Sequence, residues 1–445
     1  MPPKRKRRRT KRESSPERSR IESLSHDGRG IARVDGKTVF VEGALPGEDV
    51  IFVRYRRRGS FDEGRMTQCL EASPDRVDPR CPSFGICGGC SLQHMAHEAQ
   101  IRVKEQAMLE NLKHFGRVEP EEILPPLTGP VWGYRRSARL GVRYVRKKGM
   151  VLVGFRERNS SFIADMEHCD ILDSSVGGLL MELRALVGGM NAFMAVPQIE
   201  VSVGDEAGAL IFRHLQPLEP EEEEMLGAFS EKCGLKVYLQ SGGPDTVRPL
   251  CGEWGETLVY RVDHGRCGIF FRPGDFIQVN GGLNRQMVLQ AMRMLDPGPG
   301  EHVLDLFCGL GNFSLPAARR AETLTGVEGS ASMVDRALKN AWVNGVDNAV
   351  FYTSDLNADF QSASWSDRRY HKILLDPPRS GALEIVRQMP VFRAARIVYV
   401  SCNPATLARD AGELVHNGGY RFTYAGIMDM FPHTAHVEAM AVFDR

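Results

Sequence analysis

The chain contains 445 residues, with 57 lysines and arginines, 56 aspartates and glutamates, and 10 cysteines. Because this length exceeds one ordinary hydrophobic core, we expect two or three domains. No run of 18 apolar residues and no apolar N-terminal stretch occurs, which excludes membrane-spanning and signal-peptide patterns and predicts a cytoplasmic protein. In that compartment, cysteines favour metal, cluster or catalytic roles over disulfides.

The first 20 residues concentrate positive charge. They contain ten lysines or arginines and two glutamates, a net charge of +8, so the rest of the chain carries −7. We interpret residues 1–20 as a basic, disordered tail that contacts phosphates, because each neutralised phosphate releases counterions. The alternative is an arm that only increases solubility.

Residues 21–73 predict a small β-barrel. Two apolar segments flank Asp35-Gly36, a strong hairpin signal, and a further strand follows at Val50–Arg58. Such short strands favour a barrel of the OB type, whose exposed face commonly binds oligonucleotides. The arginines around Tyr55 would combine charge with a stacking surface, although a charged edge strand would have the same sequence.

Residues 74–275 predict an α+β domain. A helical segment near 95–120 is expected to pack on the C-terminal domain, and basic, strand-like residues follow at 131–165. The glutamates at 219 and 221–224 predict a helix start, where carboxylates suit the helix dipole.

Three cysteines of this domain, Cys81, Cys87 and Cys90, form a C-x5-C-x2-C pattern. The glycines between them let the backbone curl around one centre, and Cys169 is the best candidate for a fourth ligand. A 4Fe–4S cluster and a zinc site both need four cysteines. We favour the cluster, because zinc ribbons usually bring two C-x2-C pairs and this chain offers one.

From about residue 283, strands alternate with helices, the pattern of a doubly wound parallel sheet. Polar residues follow the apolar runs in Val303–Asn312, Ile373–Pro378 and Ile397–Pro404. In such sheets ligands bind beyond the carboxyl ends of the strands, so these segments predict a nucleotide-type cofactor site. Cys402 would then be a nucleophile delivered to that site.

Two acidic residues strengthen the cofactor prediction. Glu328 ends the next strand and can accept both hydroxyls of a ribose, and Asp355 lies where an adenine amino group would bind. The glycine turn at Gly309–Gly311 is a weak signal by itself, because the third glycine of the dinucleotide fingerprint is missing.

The motif Asp376-Pro377-Pro378 resembles the fourth motif of nucleic-acid methyltransferases. Amino-group methyltransferases place an aromatic residue next, whereas this chain has Arg379. Methylation of a pyrimidine ring carbon instead needs a thiolate that adds to C6, so that C5 can take a methyl group from a sulfonium donor. A base must then remove the C5 proton.

These motifs, together with S-C-N-P at 401–404 and the segment Met430–Glu438, resemble the RNA uracil-C5 methyltransferase family. The resemblance covers nearly the whole chain: residues 21–73 resemble its TRAM domain and the four cysteines its 4Fe–4S site. Residues 276–445 would be its Rossmann-like class I methyltransferase domain. This combination is typical of the branch that acts on 23S ribosomal RNA.

The resemblance implies roles for individual residues. Cys402 would be the nucleophile and Glu438 the base, although His433 or His436 could also serve, since histidine is the commoner proton acceptor near neutral pH. The positions that match the S-adenosyl-L-methionine site are Gln278, Phe307, Asn312, Glu328, Asp355 and Asp376.

The resemblance also implies a monomer that methylates one flipped uridine of 23S rRNA. The TRAM domain, the tail and the strands around Arg135, Arg136 and Arg139 would hold a single-stranded RNA segment. The alternatives are a tRNA uracil-C5 methyltransferase, an NAD-linked iron–sulfur oxidoreductase, and an RNA-binding factor without catalytic activity.

Overall fold

The structure, a computed structural model, describes residues 15–252, 258–356, 358 and 363–445. The chain divides into two compact units. The first contains residues up to Val103 and His433–Ala435, and the second contains Lys104–Pro432 and His436–Arg445. Within the described ranges, no helix is both long and apolar enough to cross a membrane.

The first unit contains a sheet of six described strands. They are β1 (Glu17–Arg20), β2 (Ser23–Leu24), β3 (Gly30–Val34), β4 (Lys37–Glu42), β5 (Asp49–Arg57) and β6 (Phe61–Glu71). Their order is β1-β5-β6-β4-β3-β2. Asp35 and Gly36, at φ 52° and 78°, form the predicted hairpin turn between β3 and β4. The sheet begins at Glu17, inside the segment predicted as tail, and residues 1–14 of that tail lie outside the described residues.

The arginine run of β5 is largely engaged inside this sheet. Arg54 is buried, and its guanidinium donates to Asp62 and Glu17, at 2.6 Å each. The Tyr55 hydroxyl donates to Glu42 Oε1 at 2.7 Å. Because β5 pairs with β1 on one side and β6 on the other, the edge-strand interpretation is wrong.

Helix α1 (His97–Asn111) begins in the first unit and continues into the second. It ends in a π-helical turn at Leu112–Gly116, which is followed by the short strand β7 (Glu122–Ile123). Lys104 Nζ donates to Asp429 Oδ1 at 2.6 Å, and both side chains are almost fully buried. The part of α1 in the second unit is therefore fastened to C-terminal residues.

A second six-stranded sheet has the order β13-β12-β11-β10-β8-β9. Its strands are β8 (Ser137–Val145), β9 (Met150–Gly154), β10 (Gln198–Val203), β11 (Gly208–Arg213), β12 (Lys236–Gln240) and β13 (Val247–Pro249). Its helices are α2 (Ser174–Gly177), α3 (Leu180–Gly188) and α4 (Pro220–Cys233). The predicted helix start is confirmed: Glu219 and Glu222 form a capping box at the N-terminus of α4. A 3-10 turn occupies Pro244–Thr246, and β14 (Leu258–Val262) pairs with β15 (Cys267–Phe271).

The C-terminal sheet includes β7 and seven further described strands. They are β16 (His302–Leu306), β17 (Thr323–Glu328), β18 (Ala349–Thr353), β19 (Lys372–Leu375), β20 (Arg396–Ser401), β21 (Arg421–Met428) and β22 (Glu438–Asp444). The helices are α5 (Gly281–Leu295), α6 (Ser314–Ala318), α7 (Ala331–Val343), α8 (Leu383–Phe392) and α9 (Pro404–His416).

The strand order in this sheet is β18-β17-β16-β19-β20-β22-β21-β7. The strands β16 to β20 are parallel, which confirms the predicted alternation of strands and helices. In contrast, β22 runs antiparallel to both of its neighbours, β20 and β21. The sheet is therefore parallel in its main part and antiparallel at β22.

Candidate active site

The carboxyl ends of the parallel strands meet at one edge of the C-terminal sheet, where ligands bind in open α/β folds. After β16 the chain turns sharply: Phe307, Gly309 and Gly311 adopt left-handed backbone conformations, at φ 64°, 54° and 92°. Such a conformation is strained for phenylalanine. The amides of Phe307 and Cys308 donate to Val327 O at 2.9 and 3.1 Å, which fastens this turn to β17.

Glu328, the last residue of β17, accepts two backbone hydrogen bonds. Gly309 N donates to its Oε2 at 3.2 Å, and Ser330 N donates to its Oε1 at 3.1 Å. Since a carboxylate has about four acceptor positions, about two remain for the hydroxyls of a ligand. Asp355 lies just beyond β18, whose last residue, Thr353, pairs in register with Glu328. Two predicted cofactor residues thus follow adjacent strands.

Asn312 has less hydrogen-bonding capacity left for a ligand than Glu328, because neighbouring residues already bind most of its side-chain amide. It exchanges two hydrogen bonds with Asn284, at 3.0 Å each, and its Oδ1 also accepts from the Tyr260 hydroxyl at 3.2 Å. At most one amide hydrogen remains for a ligand. Asn312 therefore mainly ties the glycine turn to α5 and β14.

Two aspartates, the buried Asp305 and the half-buried Asp376, lie at the same edge. Burial raises the pKa of Asp376 to about 7, opposed by a 3.4 Å hydrogen bond from Gln278 Nε2. Burial also raises the pKa of Asp305 to about 7, and its Oδ2 accepts from the Ser314 hydroxyl. Among the residues that the structure describes, Asp305 Oδ1 has no hydrogen-bond partner. The sequence-based prediction missed Asp305, although it opens the D-L-F-C-G motif.

Cys402 and Glu438 come together through the antiparallel pairing of β20 with β22. Ser401 pairs with Ala439, so Cys402 and Glu438 follow and precede this pair at the same end. Burial, followed by the charges of Glu438 and Asp376, raises the pKa of the Cys402 thiol to about 11. Burial and the charge of Asp376 raise the pKa of Glu438 to about 8. Thiol and carboxyl are thus mainly protonated at neutral pH.

Arg379 is an exposed cation beside this pair that the sequence-based prediction did not assign to the site. Its charge acts against burial and lowers the pKa of both Cys402 and Glu438. Its carbonyl oxygen accepts from Asn403 Nδ2 at 3.0 Å and from Thr406 Oγ1 at 3.3 Å. Helix α9 therefore holds the backbone of the D-P-P-R loop next to Cys402.

The two histidines proposed as alternative bases have other surroundings. In the first unit, the His433 amide donates to Gln100 Oε1 at 2.9 Å, and Gln100 Nε2 lies 3.3 Å from its Nδ1. Burial lowers the pKa of His436. After burial, the charge of Glu438 is the largest cause that raises the pKa of Cys402, and neither histidine is among the causes. This proximity to the thiol favours Glu438 over the histidines as the base that acts with Cys402.

Arg136 is buried, which contradicts its predicted place on an RNA-binding surface. Its guanidinium lies 4.4 Å from the centroid of the Tyr260 ring, and its Nε donates to Gln278 O at 2.9 Å. That part of the prediction is wrong, since the side chain supports the Gln278 backbone instead. Arg139, in contrast, is exposed and lies 3.3 Å from Glu200.

The four candidate ligand cysteines are divided between the units. Cys81, Cys87 and Cys90 lie in one loop of the first unit, where Gly89 N donates to Cys87 Sγ at 3.4 Å. Cys169 belongs to the second unit. Across the described residues, no group of three or more histidine, cysteine, aspartate or glutamate side chains is arranged to hold a metal ion.

Comparison with protein families gives two matches. Residues 261–445 match the tRNA (Uracil-5-)-methyltransferase family, and residues 19–50 match the TRAM domain.

Two relatives match nearly the full length. The chain is 52% identical over 432 residues to the 23S rRNA (uracil(1939)-C(5))-methyltransferase RlmD of Nitrosococcus oceani, covering 97% of this chain and 96% of the relative. It is also 52% identical over 441 residues to the protein of that name from Alkalilimnicola ehrlichii, covering 99% of both chains.

Among solved structures, the fold is similar to that of Pyrococcus abyssi tRNA (uracil-54, C5)-methyltransferase in complex with S-adenosyl-L-homocysteine. The TM-score is 0.73 at 23% identity, and the match covers 96% of this chain and 99% of the other. At this identity the similarity supports the shared fold.

The raised pKa of Glu438 predicts a pH-dependent stability difference. The unfolded chain loses this proton near pH 4.3 and the folded protein near pH 8, so the free energy of unfolding falls between these values. Glu438→Gln removes this loss. Between pH 5 and pH 9, we expect the stability of the variant relative to wild type to increase by on the order of 3 kcal/mol in urea unfolding.

The matched control is Glu119→Gln, because the side chain of Glu119 is 74% exposed. Its stability relative to wild type should not change between the two pH values. An equally small change for Glu438→Gln would contradict a buried, neutral carboxyl at this position.

Proposed function

The chain belongs to the RNA uracil-C5 methyltransferase family, in the branch of the 23S rRNA enzymes, and we propose that it methylates C5 of one uridine in 23S rRNA. The 52% identity to relatives of that name, over nearly the whole chain, supports this substrate. The relatives' names also favour the uridine that corresponds to position 1939. The observation that carries the chemistry is the thiol of Cys402 beside the carboxyl of Glu438.

The methyl donor is S-adenosyl-L-methionine, bound at the carboxyl edge of the C-terminal sheet. Glu328 has acceptor positions for the ribose hydroxyls, and Asp355 is the partner of the adenine amino group. Gln278, Phe307, Asn312 and Asp376 complete this site. The electrostatics fit a sulfonium donor, because the desolvated carboxyl groups of Asp305 and Asp376 favour a cation over further anions.

Cys402 and Glu438 then act in sequence. The Cys402 thiolate forms a bond from Sγ to C6 of the uracil ring, and the electron pair of the C5–C6 double bond makes C5 nucleophilic. C5 takes the methyl group of the donor, which leaves as S-adenosyl-L-homocysteine. Glu438 accepts the C5 proton, the electrons of the C–H bond restore the double bond, and Sγ leaves C6.

Arg379 favours the ionised forms of Cys402 and Glu438 that these reaction steps need. Its charge lowers the pKa of the Cys402 thiol and of the Glu438 carboxyl, each of which burial holds well above its ordinary range. Thiolate addition and proton removal both require deprotonated groups. The exposed guanidinium is also suited to a phosphate of the target nucleotide.

The substrate is single-stranded at the target, because C6 of a stacked base is out of reach of a thiol and the uridine must leave its stack. The TRAM domain, the basic tail, and Arg135 and Arg139 on the second sheet supply the RNA contacts. The alternative with the same chemistry is methylation of a uridine in tRNA. The oxidoreductase alternative leaves the pairing of Cys402 with Glu438 unexplained.

We further propose a 4Fe–4S cluster held by Cys81, Cys87, Cys90 and Cys169. Thiolates are the usual ligands of such clusters, and N–H donors to sulfur, such as Gly89 N to Cys87 Sγ, are typical of cluster-binding loops. The methyl transfer needs no electron from the cluster. Its role is therefore to stabilise the fold or to shape the RNA-binding surface.

Methylation assays test the substrate and the nucleophile together. The purified protein should methylate unmodified 23S rRNA and not tRNA. Cys402→Ala should reduce this activity by at least about 10³-fold, because C5 is not activated without the thiolate, while S-adenosyl-L-methionine binding persists. With 5-fluorouridine at the target, the wild type should form a covalent RNA adduct on a denaturing gel.

Preferred methylation of tRNA would show that the protein is a tRNA uracil-C5 methyltransferase instead. Appreciable turnover by Cys402→Ala would exclude the proposed mechanism. Cys233→Ser is the matched control, since Cys233 is a half-buried cysteine on α4, and it should retain full activity.

Glu438→Gln should separate the two halves of the reaction. The amide is nearly isosteric but cannot accept the C5 proton, so addition and methyl transfer proceed while elimination stalls. A methylated protein–RNA adduct should accumulate on a denaturing gel and disappear after nuclease digestion. Normal turnover by this variant, with the adduct appearing only in His433→Ala or His436→Ala, would assign the base to the histidine.

Anaerobically purified protein should contain about four irons and four inorganic sulfides and should be brown. Cys169→Ser should lower both contents, whereas Cys233→Ser should not. Stoichiometric zinc without labile sulfide would show that the proposed cluster is wrong.

A further inference from the structure

Positive charge is concentrated a second time in the segment 135–163. It contains nine lysines or arginines and one glutamate, a net charge of +8. The first 20 residues carry another +8, so the remainder of the chain carries −15. A strongly basic segment on an acidic protein is the usual electrostatic footprint of a nucleic-acid-binding surface.

Two of these positive charges lie on one face of β8. Arg139 and Arg143 are exposed and lie two residues either side of Gly141, so all three point to the same face of the strand. A Cβ atom at Gly141 would lie 2.4 Å from Ile163 Cδ1. The glycine is therefore needed so that a later segment can pack between the two arginines.

That later segment is a small hairpin, residues 156–163. Arg156 and Ile163 form an antiparallel bridge, and Glu157 N donates to Phe162 O at 2.9 Å. Arg156 is exposed, and the Phe162 side chain is 62% exposed. The hairpin thus carries an exposed aromatic ring and an exposed arginine, the combination on which proteins stack unpaired bases.

Much of this charge is not neutralised within the protein. Arg139 lies 3.3 Å from Glu200, and Lys148 pairs with Asp165. Arg143 and Arg156 have no carboxylate within 4.0 Å among the described residues. Their guanidinium groups are therefore available to phosphates.

Arg135 connects this face electrostatically to the candidate active site of the second unit. The guanidinium of Arg135, at the start of this segment, lies 5.8 Å from the centroid of the Phe155 ring, next to Arg156. The charge of Arg135 also reaches His436, two residues before Glu438, because it is among the causes that, after burial, lower the pKa of that histidine. Positive charge therefore extends from this face towards the candidate active site, where it would attract an RNA strand.

We propose that Arg143, Arg156 and Phe162 form a binding surface for the single-stranded RNA that flanks the target uridine. The two arginines contact phosphates, and Phe162 stacks on an unpaired base. This inference rests on the proposed function, because it names a contact surface for the same RNA substrate.

The test compares two double charge reversals of equal charge. One is Arg143→Glu with Arg156→Glu, and the control is Arg293→Glu with Lys339→Glu, on exposed positions of α5 and α7. Kd for a labelled RNA fragment containing the target is measured between 50 and 300 mM salt. The first variant should raise Kd about tenfold or more and reduce the slope of log Kd against log salt by about 1.4, for two lost phosphate contacts. The control should change Kd less than about twofold.

The chemical step should be unchanged at saturating RNA, so KM rises while the single-turnover rate stays at the wild-type value. Unchanged affinity for S-adenosyl-L-methionine shows that the second unit is folded. Phe162→Leu should raise Kd by about fivefold or more without changing the salt slope, and Phe162→Tyr should retain wild-type affinity.

Equal Kd and salt slope for the two double variants would contradict the proposed RNA-binding surface. An unchanged Kd for Phe162→Leu would contradict it as well. These outcomes are independent of the proposed function, because binding is measured without turnover. If the wild type failed to methylate 23S rRNA, the proposed function would fail, and the expected salt dependence would still support an RNA-binding surface.

Discussion

The antiparallel pairing of β20 with β22 is the constraint on which the site depends. In a wholly parallel sheet, the first residue of a strand lies at the edge opposite to the ligand site. Because β22 runs the other way, its first residue, Glu438, reaches the carboxyl end of β20 and meets Cys402. The reversed strand thus allows nucleophile and base to come from two adjacent strands. Helix α9 and the D-P-P-R loop then bring Arg379 to the same place.

Electrostatic interactions connect Cys402 and Glu438 to the cofactor site at the carboxyl edge of the C-terminal sheet. Burial raises the pKa of Asp305 and Asp376 to about 7 and that of Glu438 to about 8, so these carboxyls resist ionisation without a cation nearby. The proposed donor brings a positive charge and its product does not. The same carboxylates therefore favour the donor over the product, and their ionisation is coupled to which of the two is bound.

The sequence predicted the elements that depend on local patterns. Apolar runs that end in polar residues indicated the parallel strands and their functional edge, and the glutamates near 220 indicated the start of α4. It did not predict features that depend on contacts between distant segments. Nothing in a basic segment distinguishes Arg136, which packs on Tyr260, from exposed neighbours such as Arg139. Glu438 was found through a family motif, because its position depends on the reversed direction of β22.

The most direct test of the account follows the C5 proton and the methyl group together. The target uridine carries tritium at C5, the donor carries a ¹⁴C-methyl group, and both labels are counted in a single turnover. For the wild type, one tritium should be released for each methyl group transferred, and for Cys402→Ala neither event should occur. For Glu438→Gln, the methyl group should appear in protein-bound RNA with the tritium retained. Release of tritium from that variant at the wild-type ratio would contradict the assignment of nucleophile and base to these two paired strands.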